Sequence, residues 1–564
     1  MPEAWYRCAP PSRVSRVAAR GPAPSRPGSL ARKPQLPRVA CELATGRGVT
    51  KPLSPNSQSK VVKLYDSRFQ FRVWLAQANF ASRVSTFAIR EVLIQPLRFN
   101  PILSTDSYKL THWWQYPPNT RHIYSYVCSR GGFLGYTELA GLQYIVKSNF
   151  AGKVFTLTDV EEAAKFASAH FGGNPKCFNH QGWRRLYEKH GGMLPLRIKA
   201  VKEGTVTGSQ NAIVTIENTD PDFYWLTNWA ETVLLQVWYP TTVGTLSRAI
   251  KQIIGEALVR TGDPSLLPLK LHDFGFRGVS SRESAAVGGA AHLFNFIGTD
   301  NLAALELLQQ YYGAQMAGVS IPASEHSTIT SWGREHEIDA FQNMLDNVPE
   351  GIVACVSDSY DIFAAVRSLW GGKLRDKVLQ REGTLVIRPD SGEAVMVLES
   401  IFNIAAEVFG YEVNHKGWKV LAPQVRFIQG DGVNYHTIQN MIFQLTRKGW
   451  SMDNWSFGMG GALLQQINRD TLRFALKCSA VDVNGTWHDV CKQPVTDPGK
   501  DSRAGRFLLL KDGKEFHTVT YEEAGTDRSG DQLELVLEDG KLLREQNLDE
   551  IRAIASSYDT FART

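Results

Sequence analysis

Several charged side chains in the second half of the chain directly follow short apolar runs, where they could bind a phosphorylated sugar. Arg388 and Asp390 stand at the end of the run in VIRPDSG (386–392). A guanidinium can fork onto phosphate oxygens, and a carboxylate can accept two hydrogen bonds from a sugar diol. Asp431 lies between two glycines in QGDG (429–432), which allows a ligand to approach the backbone closely. The pattern indicates a phosphate and ribose site, with an Arg–Asp pair that only closes a turn as the alternative.

A histidine and an aromatic–cation pair follow two other apolar runs. His326 stands beside Glu325 in ASEHSTIT, and imidazole can act as a general base or as a nucleophile toward phosphorus. In HDFGFRG (272–278), Phe274 could stack on a flat heteroaromatic ring while Arg277 binds phosphate. Each residue taken alone has a structural alternative, since a phenylalanine can pack in the core and a histidine can be purely structural. A common site therefore requires a fold that brings the runs together.

A glycine cluster in FGMGGALLQ (457–465) lies where a strand is predicted to lead into a helix. Backbone N–H groups in such a loop can hold a phosphate. The cluster lacks the P-loop and dinucleotide-binding patterns, however, and could equally form a tight turn. Four basic residues follow it, and they could neutralise a polyphosphate or lie on a solvated face. They are Arg469, Lys477, Lys492 and Lys500.

These residues need a fold that gathers the ends of separate strands. Six short apolar runs alternate with helical stretches, and their successive polar ends are about 30 residues or more apart, the length of a βαβ unit. The runs end at Asp273, His326, Asp358, Arg388, Gly430 and Gly460. Continuous apolar strands that alternate with helices favour a parallel sheet, whose polar strand ends converge on one face. We therefore predict an α/β fold with an incomplete or closed α/β barrel that binds its ligands at one end.

The length of 564 residues exceeds what one hydrophobic core usually serves, so two or three domains are expected. We predict an N-terminal extension (1–98), an N-terminal α+β domain (99–240), the barrel as the catalytic domain (241–480) and a C-terminal segment (481–564). The C-terminal segment should pack back on the N-terminal domain. The additional α+β domain would then be built from both ends of the chain.

Basic charge is concentrated in the first 60 residues, which hold 11 Lys+Arg and 2 Asp+Glu and leave the rest of the chain close to neutral. The body thus lacks the electrostatic pattern of a nucleic-acid-binding protein, and no apolar run is long enough for a membrane span. The Arg-, Ser- and Pro-rich extension is typical of a transit peptide or of a disordered segment without an address. We expect a cytoplasmic protein, with organellar targeting by the extension as the alternative. Seven cysteines without a C-x-x-C pair suit a reducing compartment and give no sequence-local metal site.

The longest motifs resemble those of the nicotinamide phosphoribosyltransferase family, a group of type II phosphoribosyltransferases. They run in family order over about residues 100–550 and include LSTDSYKLTHWWQYPPNT, KLHDFGFRGVSS, PASEHSTIT, IRPDSG and FGMGGALLQ. The resemblance implies that nicotinamide and 5-phosphoribosyl 1-pyrophosphate are condensed to nicotinamide mononucleotide and pyrophosphate. It also implies Mg²⁺, ATP hydrolysis coupled through a phosphohistidine, and a homodimer with shared active sites.

The resemblance also implies roles for individual residues. His326 would be the phosphorylated histidine, Asp358 the acid beside it, and Asp390 the ribose ligand. Nicotinamide would lie between Phe274 of one subunit and Tyr108 of the other. The remaining matched positions read the carboxamide (Asp300), line the pocket (Ser320), bind phosphate or pyrophosphate (Arg277, Arg388), surround the nucleotide (Gly430, Asp431, Gly461, Arg469) and face polyphosphate (Arg130, Lys477, Lys492, Lys500).

Two departures and three rival functions accompany this interpretation. The leading hundred residues are an addition to the family pattern, and Ala354 stands where we expect a small hydroxyl residue lining a tunnel to the nicotinamide pocket.

Nicotinate phosphoribosyltransferase shares the fold and the histidine, but the Asp300 carboxylate would repel the carboxylate of nicotinate. A type I phosphoribosyltransferase ranks low because its usual acidic loop is not found. An additional extracellular signalling role is the third rival, although nothing resembles a secretory signal.

Overall fold

A computed structural model describes residues 99–561 of the chain. The predicted N-terminal extension (1–98), with targeting as the alternative to a disordered segment, lies outside the described residues. The described part has two main hydrophobic cores, one around a parallel sheet and one beside an antiparallel sheet. No helix between residues 99 and 561 is both long and apolar enough to cross a membrane.

The strands and helices follow one another with short connections. In chain order the strands are β1 (Thr120–Ser129), β2 (Tyr136–Glu138), β3 (Leu196–Ala200), β4 (Val206–Gly208), β5 (Val214–Asn218), β6 (Leu271–Asp273), β7 (Gly298–Thr299), β8 (Glu350–Val356), β9 (Glu382–Arg388), β10 (Tyr411–Val413), β11 (Lys419–Leu421), β12 (Val425–Gln429), β13 (Trp455–Met459), β14 (Phe474–Val483), β15 (Thr486–Asp489), β16 (Phe507–Asp512), β17 (Glu515–Thr520), β18 (Glu534–Glu538) and β19 (Lys541–Leu542). The α-helices are α1 (Leu142–Asn149), α2 (Leu157–His170), α3 (His180–His190), α4 (Leu226–Leu234), α5 (Trp238–Thr261), α6 (Arg282–His292), α7 (Leu302–Tyr312), α8 (His326–Thr330), α9 (Glu337–Asn347), α10 (Ile362–Ala364), α11 (Arg375–Leu379), α12 (Ala394–Phe409), α13 (Tyr435–Arg447), α14 (Gly461–Leu464) and α15 (Leu548–Ser557).

The barrel is formed by six parallel strands in the order β7-β6-β13-β12-β9-β8. The two edge strands are joined by residues 317–324, which make isolated parallel bridges on each side. Val319 pairs with Gly298 of β7, and Ala323 pairs with Ala354 of β8. The predicted α/β class and barrel are therefore confirmed, with this segment as the seam of the barrel.

Side-chain alternation along each strand divides the barrel wall into two faces. In β9, Leu385 and Ile387 are fully buried in the helix-covered core, whereas Val386 and Arg388 line a cavity inside the barrel. The same period of two places Ile352 and Ala354 of β8 on the inside, whereas three successive residues of β12 (426–428) line the cavity. The interior is a tunnel of about 320 Å³.

The helices around the barrel bury one apolar stripe each. In α12, residues Leu398, Ile401, Phe402 and Ala405 follow the i, i+3, i+4, i+7 spacing and are all fully buried. The Phe402 ring packs against Phe427 of β12 with centroids 5.1 Å apart. This packing holds the strands at the spacing that the interior requires.

The second sheet is antiparallel, with the order β15-β14-β1-β5-β3-β18-β19. The strands β14, β15, β18 and β19 come from the C-terminal part of the chain, so the two ends of the chain share one sheet. The chain re-enters this sheet at Phe474, a few residues before the predicted boundary at 480.

Glu138 of β2 is a fully buried carboxylate that contacts the barrel domain. Both its oxygens accept hydrogen bonds from the Asn295 side chain, at 3.1 and 3.0 Å, and Arg248 of α5 lies 4.0 Å away. Burial raises the pKa of Glu138 to about 7, although Arg248 and Asn295 oppose the shift. The buried carboxyl group is therefore ionised, and destabilises the native state, only at higher pH.

Because of Glu138, the free energy of unfolding should depend on pH. The pKa is higher in the native state than in the unfolded state, so the contribution is complete below about pH 4.5 and is lost as pH rises through about 7. Chemical denaturation at several pH values should show the parent losing about 3 kcal/mol more than Glu138→Gln over this range. Groups common to both proteins cancel in the comparison, and parallel curves would contradict the assignment.

Candidate active site

The carboxyl ends of the barrel strands open into a basin of about 740 Å³. Its lining includes Phe274, Arg277, Asp300, Glu325 and Arg388. The tunnel through the barrel opens from the same place, because Phe274, Asp300 and Arg388 line both cavities. The structure thus brings together side chains that are more than a hundred residues apart in the sequence.

One wall of the basin is an aromatic slot formed by Phe274, which follows β6. The Phe274 N–H donates to the carbonyl of Met459 at 3.0 Å, so the ring lies against the end of β13. Gly458 makes room for the ring, since a Cβ there would lie 2.0 Å from Phe274 Cε2. Across the mouth of the slot, Ser320 Oγ donates to Asp300 Oδ1 at 2.5 Å. A flat ring with a polar substituent fits this combination of aromatic face and oriented carboxylate.

His326, the first residue of α8, is oriented by Asp358. Asp358 Oδ1 lies 3.0 Å from His326 Nε2, and its Oδ2 accepts from Ser391 Oγ at 2.5 Å and from the Asp390 N–H at 3.0 Å. Burial acts to raise the pKa of Asp358, but the hydrogen bonds from Ser391, His326 and Asp390 outweigh it and hold the pKa below its usual value. An ionised carboxylate can only accept, so Nε2 donates this hydrogen bond and Nδ1 is the ring nitrogen left to react.

Arg388 and Asp390 form the part of the rim next to the histidine. Arg388 Nη2 lies 3.3 Å from Asp390 Oδ2, and that oxygen is 3.9 Å from His326 Nδ1. Burial raises the pKa of Asp390, with Arg388 opposing the shift and Asp358 adding to it. The buried Nε of Arg388 donates to no atom within residues 99–561. The guanidinium therefore has donor capacity that a phosphate could use.

The predicted glycines lie around the same rim. A Cβ on Gly430 would lie 3.1 Å from Asp390 Oδ1, so this loop passes directly over the carboxylate. Gly461 begins α14 and lies beside the Arg277 loop, since a Cβ on Gly278 would be 3.5 Å from the Gly461 N. Asp431 follows β12, and its charge adds to the factors that raise the pKa of Asp390.

A second group of predicted residues lies elsewhere on the chain. A separate cavity of about 190 Å³, beside the antiparallel sheet, is lined by Arg130, Arg469, Lys477, Lys492 and Lys500. It shares no lining residue with the basin or the tunnel. Burial lowers the pKa of Lys477, and the neighbouring cations add to this effect while Glu231 opposes it. Tyr108 is 57% exposed and lines neither the basin nor the tunnel. Within one chain, therefore, these six residues do not join the barrel rim.

Sequence reasoning missed the polar residues that line the tunnel deeper in the barrel. Lys270 and His272 precede Phe274 by four and two residues, and Arg426 lies on β12. The Lys270 ammonium donates to three backbone carbonyls, and burial lowers its pKa to about 7. The period of two running back from Phe274 was the signal that could have identified Lys270 and His272, whereas no comparable signal marks Arg426. Ala354 lines the same tunnel, so its methyl group stands where the resemblance suggests a hydroxyl.

Comparisons with known proteins agree with this architecture. The model of the nicotinate phosphoribosyltransferase family matches residues 269–541, and the model of the nicotinamide phosphoribosyltransferase N-terminal domain matches residues 100–198. The chain is 50% identical over 466 residues to nicotinamide phosphoribosyltransferase of Xanthomonas campestris pv. campestris, covering 81% of this chain and 98% of the relative. It is 30% identical over 503 residues to the Acinetobacter baylyi protein of the same name, covering 82% and 99%.

A solved structure shares the fold at low sequence identity. The nicotinate-nucleotide pyrophosphorylase from Pyrococcus furiosus aligns with a TM-score of 0.51 at 16% identity, covering 81% of this chain and 95% of the other. The family resemblance of the sequence motifs is confirmed by the relatives. The chain belongs to the nicotinamide phosphoribosyltransferase family and is an enzyme of the pentosyltransferase class.

Proposed function

We propose that the chain condenses nicotinamide with 5-phosphoribosyl 1-pyrophosphate to give nicotinamide mononucleotide and pyrophosphate, driven by ATP hydrolysis through His326. The observation that carries the proposal is that Phe274, Asp300 and Arg388 line both the tunnel and the open basin. A ring bound in the slot would therefore meet a phosphorylated sugar bound in the basin. The bacterial relatives carry the name of the same activity.

Ring binding is assigned to the slot. Nicotinamide would stack on Phe274, and its carboxamide NH₂ would donate to Asp300, which Ser320 orients. The pyridine nitrogen has a free lone pair, so its attack needs no general base. Fixing that nitrogen in line with the anomeric carbon supplies much of the catalysis.

Glycosyl transfer is assigned to the basin. A bond forms between the pyridine nitrogen and the anomeric carbon as the bond from that carbon to pyrophosphate breaks. The sugar gains oxocarbenium character, which the Asp390 carboxylate favours while it accepts from the ribose diol. Arg277 and Arg388 bind phosphate and stabilise the charge that departs with pyrophosphate.

Mg²⁺ is proposed as an ion that arrives with the phosphates. Within the described residues, no group of three or more His, Cys, Asp and Glu side chains is placed to hold a metal alone. Magnesium commonly keeps several waters and binds through substrate phosphates plus one or two carboxylates, so the rim fits it. Asp390, beside Arg388, is the carboxylate that would share the ion. Bound there, the ion would supply charge neutralisation for the leaving pyrophosphate.

Energy coupling is assigned to His326. Its Nδ1 would attack the γ-phosphorus of ATP, forming an N–P bond as the bond to ADP breaks. Asp358 accepts the Nε2 hydrogen and stabilises the positive charge that develops on the ring. The phosphate adds a charge of about −2 beside the basin, and its later hydrolysis removes that charge. The two states of His326 would thus bind the sugar pyrophosphate differently.

A homodimer with shared sites would unite the separated residues. A second copy could present its cationic cavity (Arg130, Arg469, Lys477, Lys492 and Lys500) and its Tyr108 to the basin of the first. Tyr108 is a large aromatic side chain with 57% exposure. Among the residues that line the cationic cavity, Glu231 is the one acidic residue that could neutralise the five cations. Both features suit contact with a ligand bound by another subunit.

The first prediction concerns the choice between nicotinamide and nicotinate. Asp300→Asn replaces an acceptor that repels a carboxylate by an amide that can donate to it. The ratio of kcat/KM for nicotinamide to that for nicotinate should fall roughly 10-fold or more. Ser320→Ala keeps the carboxylate but removes the hydrogen bond that orients it, so it should lower the preference less than Asp300→Asn does. Unchanged selectivity in Asp300→Asn would remove Asp300 as the reader.

The second prediction concerns ATP. His326→Ala should retain basal synthesis of the mononucleotide but lose its stimulation by ATP, because the phosphate acceptor is gone. The measurement is the rate of mononucleotide formation with and without ATP, together with ADP release. Asp358→Asn keeps the imidazole and should reduce the stimulation without abolishing it. Equal stimulation of His326→Ala and the parent would show that the coupling lies elsewhere.

The third prediction concerns the dimer. Tyr108→Ala and Phe274→Ala would each damage every site of their own homodimer, but a mixed dimer would contain one intact site. Mixing the two inactive variants under subunit exchange should restore about a quarter of the parent activity, from random pairing. A mixture that exchanges subunits, as followed by differential labelling, and yet stays inactive would exclude shared sites.

A further inference from the structure

Asp273 is a fully buried carboxylate at the end of β6, next to Phe274 and among the residues that line the basin. It forms no ion pair with any residue in the described part of the chain. The cost of burying an unpaired carboxylate is large, and an uncharged side chain would be cheaper at this position. The charge of Asp273 is therefore not explained by a gain in folding stability. It is explained by the hydrogen bonds that the carboxylate accepts.

One oxygen of Asp273 fixes the loop that carries the slot ring. Oδ1 accepts from the Gly275 N–H at 2.7 Å. Gly275 also lies close to Leu464, since a Cβ at residue 275 would be 2.7 Å from Leu464 Cδ1. The turn around Phe274 is thus held on one side by this hydrogen bond and on the other by packing.

The rest of Asp273 fixes the opposite side of the slot. Oδ2 accepts from Asn301 Nδ2 at 2.9 Å, and the Asp273 carbonyl accepts from the Asp300 N–H at 3.1 Å. Asn301 is itself fully buried and donates to the Ala285 carbonyl at 2.8 Å. The residue proposed to read the carboxamide is therefore held by the same aspartate that holds the stacking loop.

Helix α6 packs closely against the side chains of Asp273 and Asn301. A Cβ on Gly289 of α6 would lie 2.5 Å from Asn301 Nδ2 and 2.8 Å from Asp273 Oδ2. The helix approaches the carboxylate closely only because residue 289 is glycine. The hydrogen bonds of Asp273 are thus geometrically determined from three directions.

We propose that Asp273 is a positioning residue that sets the spacing between Phe274 and Asp300 and thereby selects a flat ring bearing a carboxamide. The inference rests on the proposed function, and it assigns to Asp273 no contact with substrate. Each oxygen of the carboxylate accepts one hydrogen bond, Oδ1 from Gly275 and Oδ2 from Asn301, and an ionised carboxylate leaves both oxygens free to accept.

The main test is Asp273→Asn. An amide has one acceptor oxygen and an NH₂ group that only donates, so one of the two donors, Gly275 N–H or Asn301 Nδ2, loses the oxygen that accepts from it. KM for nicotinamide should rise about tenfold or more, whereas KM for 5-phosphoribosyl 1-pyrophosphate should change less than about threefold. The split between the two constants distinguishes lost positioning of the ring slot from a general loss of active protein.

Glu203→Gln is the matched control. Glu203 is also a buried carboxylate, and it accepts from the backbone of Gly141 at 2.8 Å and of Gln143 at 2.6 Å, away from the barrel mouth. Its substitution should lower the melting temperature but leave KM for nicotinamide unchanged. An equal rise of KM in both variants would overturn the proposal, since it would trace the effect to destabilisation.

A second measurement needs no variant. Burial raises the pKa of Asp273 to about 6, although the Asn301 and Gly275 hydrogen bonds oppose the shift. The titratable groups that face it are Asp300 after β7 and Tyr239 of α5. Protonation removes an acceptor, so KM for nicotinamide in the parent should rise as pH falls through about 6, and Asp273→Asn should lose this inflection.

The outcomes separate the two claims. An active parent whose KM for nicotinamide is flat from pH 7 to below 6, or a folded Asp273→Asn protein with unchanged KM, would overturn the positioning role alone. A parent that forms no mononucleotide from nicotinamide and 5-phosphoribosyl 1-pyrophosphate would overturn the proposed function and this inference with it.

Discussion

The structure depends on the alternation of side chains along the parallel strands of a barrel. Because successive residues face opposite sides, each strand gives half its residues to the helix-covered core and half to the interior. Leu385 and Ile387 stabilise the barrel, and Val386 and Arg388 between and after them form the tunnel wall and the rim. A shift of one residue in strand register would exchange the two sets. The positions of the tunnel and rim residues therefore depend on the apolar core, because its packing fixes the register of the strands.

The rim contains carboxylates with opposite electrostatic environments. Asp358 receives three hydrogen bonds, and its pKa lies below the usual value despite burial. For Asp390 and Asp273, burial dominates and raises the pKa. Acidic groups that differ in this way can serve different purposes within a few ångströms, since one remains a constant anion and the others respond to their partners.

Much of the fold could be predicted because long apolar runs have a clear physical pattern. Five of the six predicted strand ends belong to strands of the barrel, at Asp273, Asp358, Arg388, Gly430 and Gly460. The run ending at His326 instead forms only two isolated bridges, because its small residues and proline leave it little ladder to make. The strand β7 (Gly298–Thr299) was missed, since two residues carry no period.

The site could be predicted only in part. Motif strings identified the rim around Arg388 and Asp390, because those residues directly follow a strand. The tunnel residue Arg426 was missed because an isolated cation in an apolar run gives no sign of facing inward, whereas Lys270 stands on the two-residue period that leads to Phe274. The position of the cationic cavity depends on pairing between β1 and β14, which are more than three hundred residues apart. Such long-range pairing leaves no local pattern in the sequence.

The seam formed by residues 317–324 makes the barrel wall uneven in stiffness. Elsewhere the wall is held by strand ladders, whereas the segment that carries Ser320 and leads to His326 has isolated bridges at Val319 and Ala323 and side-chain hydrogen bonds such as that from Ser320 to Asp300. Opening a few backbone hydrogen bonds costs far less than breaking a full ladder, so thermal fluctuations should concentrate along this line. The barrel wall can then widen or tighten along this segment, and His326 lies directly after it. A small movement of the segment would therefore change the position of the histidine relative to the other strand ends.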